Sequence, residues 1–312
     1  MKKIIIMIAV FAVLGGVVFA LSNTKASDSK SENKVGATIF PIYDIVKQIA
    51  GDEFEVVLLL PPGTSPHTFD PQPSLLKDLQ GAKLVFAIGY GLDTWSDSVA
   101  QSINASVVVV DQDVELRATE ENDDHDEDTE SHKDEDEDEY GHGPIDPHYW
   151  LSITNARLIA SNIASELAER DSENASLYID RAGKYKRELE VLETELRGKT
   201  ANLSNRNIIS LHDAWYYFAD GFGLNLVGTF EPSAGKEPTP RYLANLEGEV
   251  REHNVSTLFI EPQLSTASIE AFADDHDLSI AIIDPLGGVP GRDSYVNLMR
   301  YNVNQVVNAL NN

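Results

Sequence analysis

In the stretch VVLLLPPGTSPHTFDPQP, residues 56–73, an apolar run ends in a proline-rich loop. The run over 56–60 is typical of a buried strand. Proline fixes the backbone angle φ and lacks an N–H donor, so neither a helix nor a strand continues through the loop. The loop presents one imidazole, His67, at a strand end, where α/β proteins bind ligands. We interpret His67 as a candidate ligand, although an ordinary surface histidine is the alternative.

Three further loops each carry one donor: His148 in DPHYW, His212 in SLHD and Asp284 in IIDPLG. Each donor follows an apolar strand-like run or lies beside aromatic residues. Because the carboxyl ends of parallel strands share one rim of a sheet, we predict that these three side chains and His67 bind one metal ion in the cleft between two halves. Singly, each has an ordinary explanation, such as packing, helix capping or a turn.

The predicted donor set indicates the ion. Three neutral imidazoles and one carboxylate suit four-coordinate Zn²⁺, with Mn²⁺ and Fe²⁺ as rivals. A carboxylate in place of His212 would favour manganese, so His212 decides the predicted preference. Glu261, which ends an apolar strand, is a candidate for orienting one imidazole, with an exposed charge as the alternative.

The whole-chain composition excludes several classes of partner and ligand. The 312 residues include 51 acidic and 24 basic side chains, and the net charge of −27 argues against nucleic acid and anionic membranes as partners. Because there is no cysteine, disulfides, thiolate metal ligands and lipid attachment at a cysteine are excluded.

The N-terminus resembles a secretory signal. Met1, Lys2 and Lys3 precede an apolar run over 4–21, and Val18, Phe19 and Ala20 form a plausible cleavage site. We predict a signal peptide over 1–26, with an uncleaved membrane anchor as the alternative. Either predicts an extracytoplasmic protein.

Apolar β-rich runs alternate with helical patterns in both halves, and the runs are continuous, as in parallel sheets covered by helices. We predict an α/β fold of two lobes, each with a four-stranded parallel sheet flanked by helices, over residues 34–151 and 201–312. Residues 152–200 are predicted to be connecting helices, including one long rigid helix over 173–199. The eight predicted strands cover 35–40, 54–60, 84–88, 107–111, 208–211, 224–230, 257–260 and 279–283.

An acidic segment over 115–143 interrupts the first half. It holds too little apolar surface to fold, so we predict a mobile loop. Its histidines, His125, His132 and His142, suggest an auxiliary arm that gathers metal, and a solubilising spacer is the alternative.

The motifs together resemble one family. In order they are GTSPHTFDPQPS, DLQGAKLVFAIGYGLDTW, DPHYWL, SLHDAWYYFADGFGL, EPSAGKEPTP, FIEPQ and DPLGG. This set is similar to the metal-binding solute-binding proteins of ABC transporters, the cluster A-I family. The resemblance implies His67, His148, His212 and Asp284 as metal ligands and a membrane permease, with its ATPase, as partner. Histidine at the third ligand position resembles the zinc branch. The acidic character of the insert and the absent lipidation cysteine depart from many relatives.

From these features we predict a monomeric, non-catalytic extracytoplasmic receptor that delivers zinc to an ABC importer. Four protein ligands leave no open position for a reacting water, which argues against catalysis. A rigid connecting helix predicts release by loop movement and loss of His67 rather than by wide closure. The alternatives are a manganese or iron receptor, a zinc-dependent hydrolase, and a surface adhesion or metal-buffering protein.

Overall fold

The first lobe is a four-stranded parallel sheet in the order β2-β1-β3-β4. The computed structural model describes residues 33–119, 144–232 and 234–311. The strands are β1 (Lys34–Ala37), β2 (Glu55–Leu58), β3 (Leu84–Ala87) and β4 (Ser106–Val109). Helices α1 (Phe40–Ala50), α2 (Pro73–Asp78) and α3 (Trp95–Ile103) flank them. Strand β3 is buried at every position because it lies inside the sheet with side chains packed on both faces.

Two antiparallel-packed helices follow, α4 (Ile153–Arg170) and α5 (Ala175–Thr200). Ser152 begins α4 as an N-cap whose side chain accepts from the Asn155 N–H. The 26 residues of α5 span about 39 Å. One stripe of α5 is buried, with members three or four residues apart: Tyr178, Ala182, Tyr185, Leu189, Leu192, Leu196 and Thr200.

The second lobe repeats the architecture, with the strand order β6-β5-β7-β8. The strands are β5 (Asn207–Ser210), β6 (Asn225–Thr229), β7 (Thr257–Ile260) and β8 (Ser279–Ile282), again all parallel. The helices are α6 (Tyr216–Phe222), α7 (Pro240–Glu252), α8 (Ala267–Asp275) and α9 (Tyr295–Leu310). The predicted fold, two such lobes joined by a long helix, is confirmed.

One hydrophobic core runs through both lobes. It contains Ile42 and Phe86 of the first lobe, Leu189 of α5, and Phe218 and Val303 of the second. Smaller clusters lie on the far face of each sheet. Helices α4 and α5 pack against each other and against α1, and α5 also packs against α9. The connecting helices therefore belong to the core that both lobes share.

The element boundaries differ from the predicted ones where side chains cap the backbone. The predicted helix over 92–103 begins only at Trp95, since the Asp93 carboxylate accepts the N–H groups of Ile88 and Gly89. The predicted strand over 54–60 corresponds to β2, which ends at Leu58. The next two N–H groups still pair with the neighbouring stretch of chain, that of Leu59 with the Ala37 carbonyl and that of Leu60 with the Thr38 carbonyl.

Two predicted segments fall partly or wholly outside the described residues. These are the signal peptide or anchor over 1–26 and, within the acidic segment, 120–143 with its three histidines. No helix in the described part of the chain combines the length and apolar character needed to cross a bilayer.

Candidate metal centre

His67 lies in a short 3₁₀ turn, Pro66–Thr68, after β2. Trp95, at the start of α3, donates its indole N–H to the carbonyl of Pro66 over 3.2 Å. The Phe69 ring packs edge-on against the same indole, with the ring centroids 4.8 Å apart. The proline-rich loop is therefore anchored on both sides of His67, whose own side chain is half-buried.

His148 is held by Asp146, two residues earlier. One carboxylate oxygen of Asp146 accepts both the backbone N–H of His148, over 2.9 Å, and its ring Nδ1–H, over 2.8 Å. The ring is 1% exposed. Trp150 donates its indole N–H to the Pro285 carbonyl of the second lobe over 2.8 Å. His148 therefore lies where the two lobes meet.

His212 follows β5 and is held by Glu261, which follows β7. The Glu261 Oε1 atom lies 2.7 Å from Nδ1 of His212 and accepts the Trp215 indole N–H over 3.0 Å. Burial lowers the pKa of His212, but the adjacent Glu261 carboxylate outweighs burial and raises the pKa to about 9. In a neutral ring oriented this way, Nδ1 donates to Glu261 and Nε2 can bind an ion.

The three imidazoles converge. Among the described residues, His67, His148 and His212 form a group whose ligand atoms all lie within 4.8 Å of one another. Their ring centroids are 5.3 to 5.7 Å apart. Tetrahedral zinc with Zn–N bonds of ~2.05 Å separates its nitrogens by ~3.3 Å, so small rotations of the rings complete the site.

The cluster fits a cation in its chemistry as well as its spacing. The Nε2 atom of His212 is buried and makes no hydrogen bond within the described residues. Asp146 and Glu261 engage Nδ1 of His148 and His212, as carboxylates do behind histidine ligands to metals. The surrounding cavity, about 10 Å³, is only just large enough to admit one water-sized particle. A cavity of this size suits a single ion.

Asp284, the fourth predicted ligand, lies outside this group. Its Oδ1 atom accepts the backbone N–H groups of Leu286 and Gly287, both over 3.0 Å, and the Gln263 side-chain N–H over 2.7 Å. Its Oδ2 atom accepts from Nη1 of Arg292 over 2.8 Å. Coordination by Asp284 stays a prediction.

Sequence reasoning missed two contributors to the site. Asp146 holds His148, and the signal available was a carboxylate two residues before a histidine in an Asp-Pro-His turn. Gln263 lines the same cavity as the imidazoles, and the signal available was its place at the end of FIEPQ, one of the motifs that carry the family resemblance.

Two parallel-sheet lobes with a buried cluster of nitrogen donors at their junction define a two-lobed binding protein. Residues 35–309 match the model of one family, ZnuA, "Zinc-uptake complex component A periplasmic". The chain belongs to this family, which confirms the resemblance drawn from its motifs.

Relatives and solved structures agree with this assignment. The chain is 29% identical over 299 residues to the high-affinity zinc uptake system protein ZnuA of Bacillus subtilis, covering 93% of this chain and 92% of that protein. It is 28% identical over 317 residues to the manganese ABC transporter substrate-binding lipoprotein PsaA of Streptococcus mitis, covering 99% of each. A crystal structure of ZnuA superposes with a TM-score of 0.75 at 30% identity, covering 89% of this chain and 99% of that one.

Proposed function

We propose that this protein is an extracytoplasmic receptor that captures zinc and delivers it to an ABC importer. The observation that carries the proposal is the buried group of three imidazoles, His67, His148 and His212, with ligand atoms within 4.8 Å of one another. The proposed ligands are these three imidazoles together with an oxygen donor at the fourth position.

The donor chemistry favours zinc. Imidazole nitrogens suit Zn²⁺ in tetrahedral geometry, whereas Mn²⁺ prefers more oxygen donors at octahedral positions. The nearby carboxylates of Asp146 and Glu261 face the Nδ1 atoms of the ligands, and that of Asp284 faces Arg292. Manganese is the rival ion because relatives of similar identity are named as manganese proteins, and ferrous iron is a second rival.

A receptor fits the cavity better than a hydrolase does. The imidazole pocket is small, about 10 Å³, which suits a single ion better than an ester or peptide substrate. A larger cavity of about 470 Å³, lined by Arg117, Tyr216 and Tyr242 among others, includes none of the three imidazoles in its wall. A hydrolytic zinc site would need substrate and metal in one cavity.

The proposed partner is the membrane permease of an ABC importer, with its ATPase. Relatives are named as ABC transporter substrate-binding proteins, and this chain matches them over nearly their whole length. We propose that the receptor acts as a monomer outside the cytoplasm. Genes for a permease and an ATPase beside its own gene would support this role, and their absence would favour metal buffering or adhesion.

Competition titration tests the choice of ion. Purified metal-free protein is titrated with Zn²⁺ and with Mn²⁺ against a chromogenic chelator, alongside His212→Ala. We expect wild type to prefer zinc and His212→Ala to lose most zinc affinity. A preference for manganese would overturn the zinc assignment, and binding of neither ion would overturn the receptor function.

A further inference from the structure

Gln263 carries a buried oxygen that the fold leaves unused. Its side chain lines the same pocket as the three imidazoles. Within the described residues, the Oε1 atom is buried and accepts no hydrogen bond, whereas the Nε2 atom donates to Asp284 over 2.7 Å. Buried polar atoms are nearly always paired, so an unpaired amide oxygen in a cation pocket indicates a missing partner.

The orientation of this amide is fixed by chemistry. A carboxylate paired with a guanidinium accepts hydrogen bonds and donates none, so the NH₂ group of Gln263 must face Asp284. The carbonyl oxygen is then on the other side of the amide. No rotation about the last side-chain bond exchanges the two without losing the bond to Asp284.

Asp284 lies outside the group of converging imidazoles and is not among the residues that line their cavity. Both of its oxygens are engaged, and Arg292, which bonds Oδ2, also stacks 4.7 Å over the Tyr301 ring. Releasing Asp284 would leave the Arg292 guanidinium without its carboxylate in a largely buried position, since its side chain is only 20% exposed.

Charge balance agrees with a neutral fourth donor. The carboxylates of Asp146 and Glu261 lie behind two of the imidazoles. Those of Asp213 and Glu231 also act on His212, so the site already holds negative charge for a divalent cation. An amide oxygen completes the coordination and adds no charge, whereas a further carboxylate would leave the buried site with excess negative charge.

We propose that the amide oxygen of Gln263, not the carboxylate of Asp284, serves the fourth coordination position, and that Arg292 keeps Asp284 in the role of holding Gln263. The inference rests on the proposed function and names a donor in the same site. It leaves the three imidazole nitrogens as the majority of the donors, which favours zinc over manganese.

Two measurements on three variants test the inference. Zinc affinity by chelator competition and the visible absorption of bound Co²⁺ are compared for Gln263→Met, Asp284→Asn and the control Gln305→Met. Gln305 is a part-buried glutamine of α9 whose amide donates to Tyr301, away from the imidazoles. We expect Gln263→Met to weaken zinc binding by about 10–100-fold and to change the Co²⁺ spectrum. Asp284→Asn, whose side-chain oxygen still accepts from Gln263, should weaken binding by less than Gln263→Met does.

The outcomes separate this inference from the proposed function. A larger loss in Asp284→Asn than in Gln263→Met, or equal behaviour of Gln263→Met and Gln305→Met, would overturn the inference while wild type still binds zinc. Failure of wild type to bind either ion would remove the proposed function and the inference together. If metal-free Gln263→Met melts well below wild type, Gln263→Asn, which keeps the amide but is one methylene shorter, takes its place under the same criteria.

Discussion

At the scale of single residues, carboxylates behind the imidazoles determine how the site is built. Asp146 and Glu261 each hold one ring by its Nδ1 atom, so Nε2 is the atom presented for an ion. The ring orientation is therefore set before any ion arrives, and the entropy of ordering the donors is lost on folding rather than on binding.

Glu261→Gln should weaken zinc binding by about 10–100-fold, because the amide keeps the hydrogen bonds but loses the charge that strengthens the ligand. Zinc affinity by chelator competition measures the effect. The matched control is Glu249→Gln, which alters a carboxylate 3.1 Å from the half-exposed imidazole of His253, outside the cluster. Equal affinities for the two variants would show that Glu261 does not act on the ion.

The loop after Asp284 depends on glycine at one position. Gly287 has a φ of 74°, and a Cβ there would lie 2.8 Å from the backbone oxygen of Arg292. Gly291 has a φ of 80° with open space around it. Gly287→Ala should therefore lower the free energy of unfolding by more than Gly291→Ala, which carries only the backbone strain of about 1–2 kcal/mol. Urea unfolding of both variants compares them, and equal losses would contradict the steric argument.

The converging imidazoles could be predicted from the sequence, but the hydrogen-bond partners of Asp284 could not. His67, His148 and His212 follow apolar runs or adjoin aromatic residues, and those local signals could be read directly. The bonds from Gln263 and Arg292 to Asp284 could not, since they depend on how two loops fold back on each other across 21 and 8 positions.

At the scale of secondary-structure elements, α5 is held by its buried stripe rather than by its composition. Leu189 is fully buried and Val191, two positions on, is 69% exposed. Leu189→Ala should lower the free energy of unfolding by about 2–5 kcal/mol through lost burial and a cavity. Val191→Ala should change it by less than about 0.5 kcal/mol. Denaturant unfolding measures both, and similar losses would mean that α5 does not join the core.

One ion pair connects α5 to the turn after α1. Arg181 bonds the Ala50 carbonyl over 2.7 Å and the Glu53 carboxylate. This hydrogen bond from Arg181 lowers the pKa of Glu53 below 4.5. A carboxyl group whose pKa is lower in the folded state stabilises that state at pH values above its pKa in the unfolded chain. This stabilisation is lost as the pH falls through its pKa in the folded state.

Coupling between Glu53→Gln and Arg181→Gln in a double-mutant cycle should therefore be present at pH 7 and disappear as the pH falls below 4.5. Unfolding in urea across this range provides the free energies. A coupling that stays constant with pH would assign the contact to packing alone.

Element boundaries were predicted less well than element types. Helix α3 starts late because the Asp93 carboxylate caps two backbone N–H groups several residues before it. The spacing of apolar residues gives no sign of such capping. The same spacing does predict α5, because its buried stripe repeats every three or four residues over the whole helix.

At the scale of the whole molecule, the two lobes were predictable and their common core was not. Alternating strands and helices in each half predicted two parallel sheets. Two hydrogen bonds connect positions more than a hundred residues apart, from Trp150 to Pro285 and from the Tyr295 N–H to Asp44. Such bonds depend on tertiary packing and leave no local sequence signal. These bonds and the continuous core join the lobes.

Zinc loading should therefore leave the radius of gyration unchanged in small-angle scattering while raising the melting temperature. Zinc at 100 times its dissociation constant stabilises a folded protein by about 2.7 kcal/mol. His212→Ala measured in parallel should show no such rise. A smaller radius of gyration of wild type on loading would contradict a rigid frame and indicate hinge closure. Release would then not depend on movement of His67, which is the least buried of the three cluster imidazoles.

The continuous core has a consequence for how this chain can be engineered. Since Leu189 of α5 packs in the same cluster as Ile42 and Val303, neither half carries a complete interior of its own. Chimeras that exchange one lobe between relatives should fold only if the exchanged piece brings matching faces of α4 and α5. Swaps limited to the loops at the strand ends should transfer ion preference without disturbing assembly of the chain.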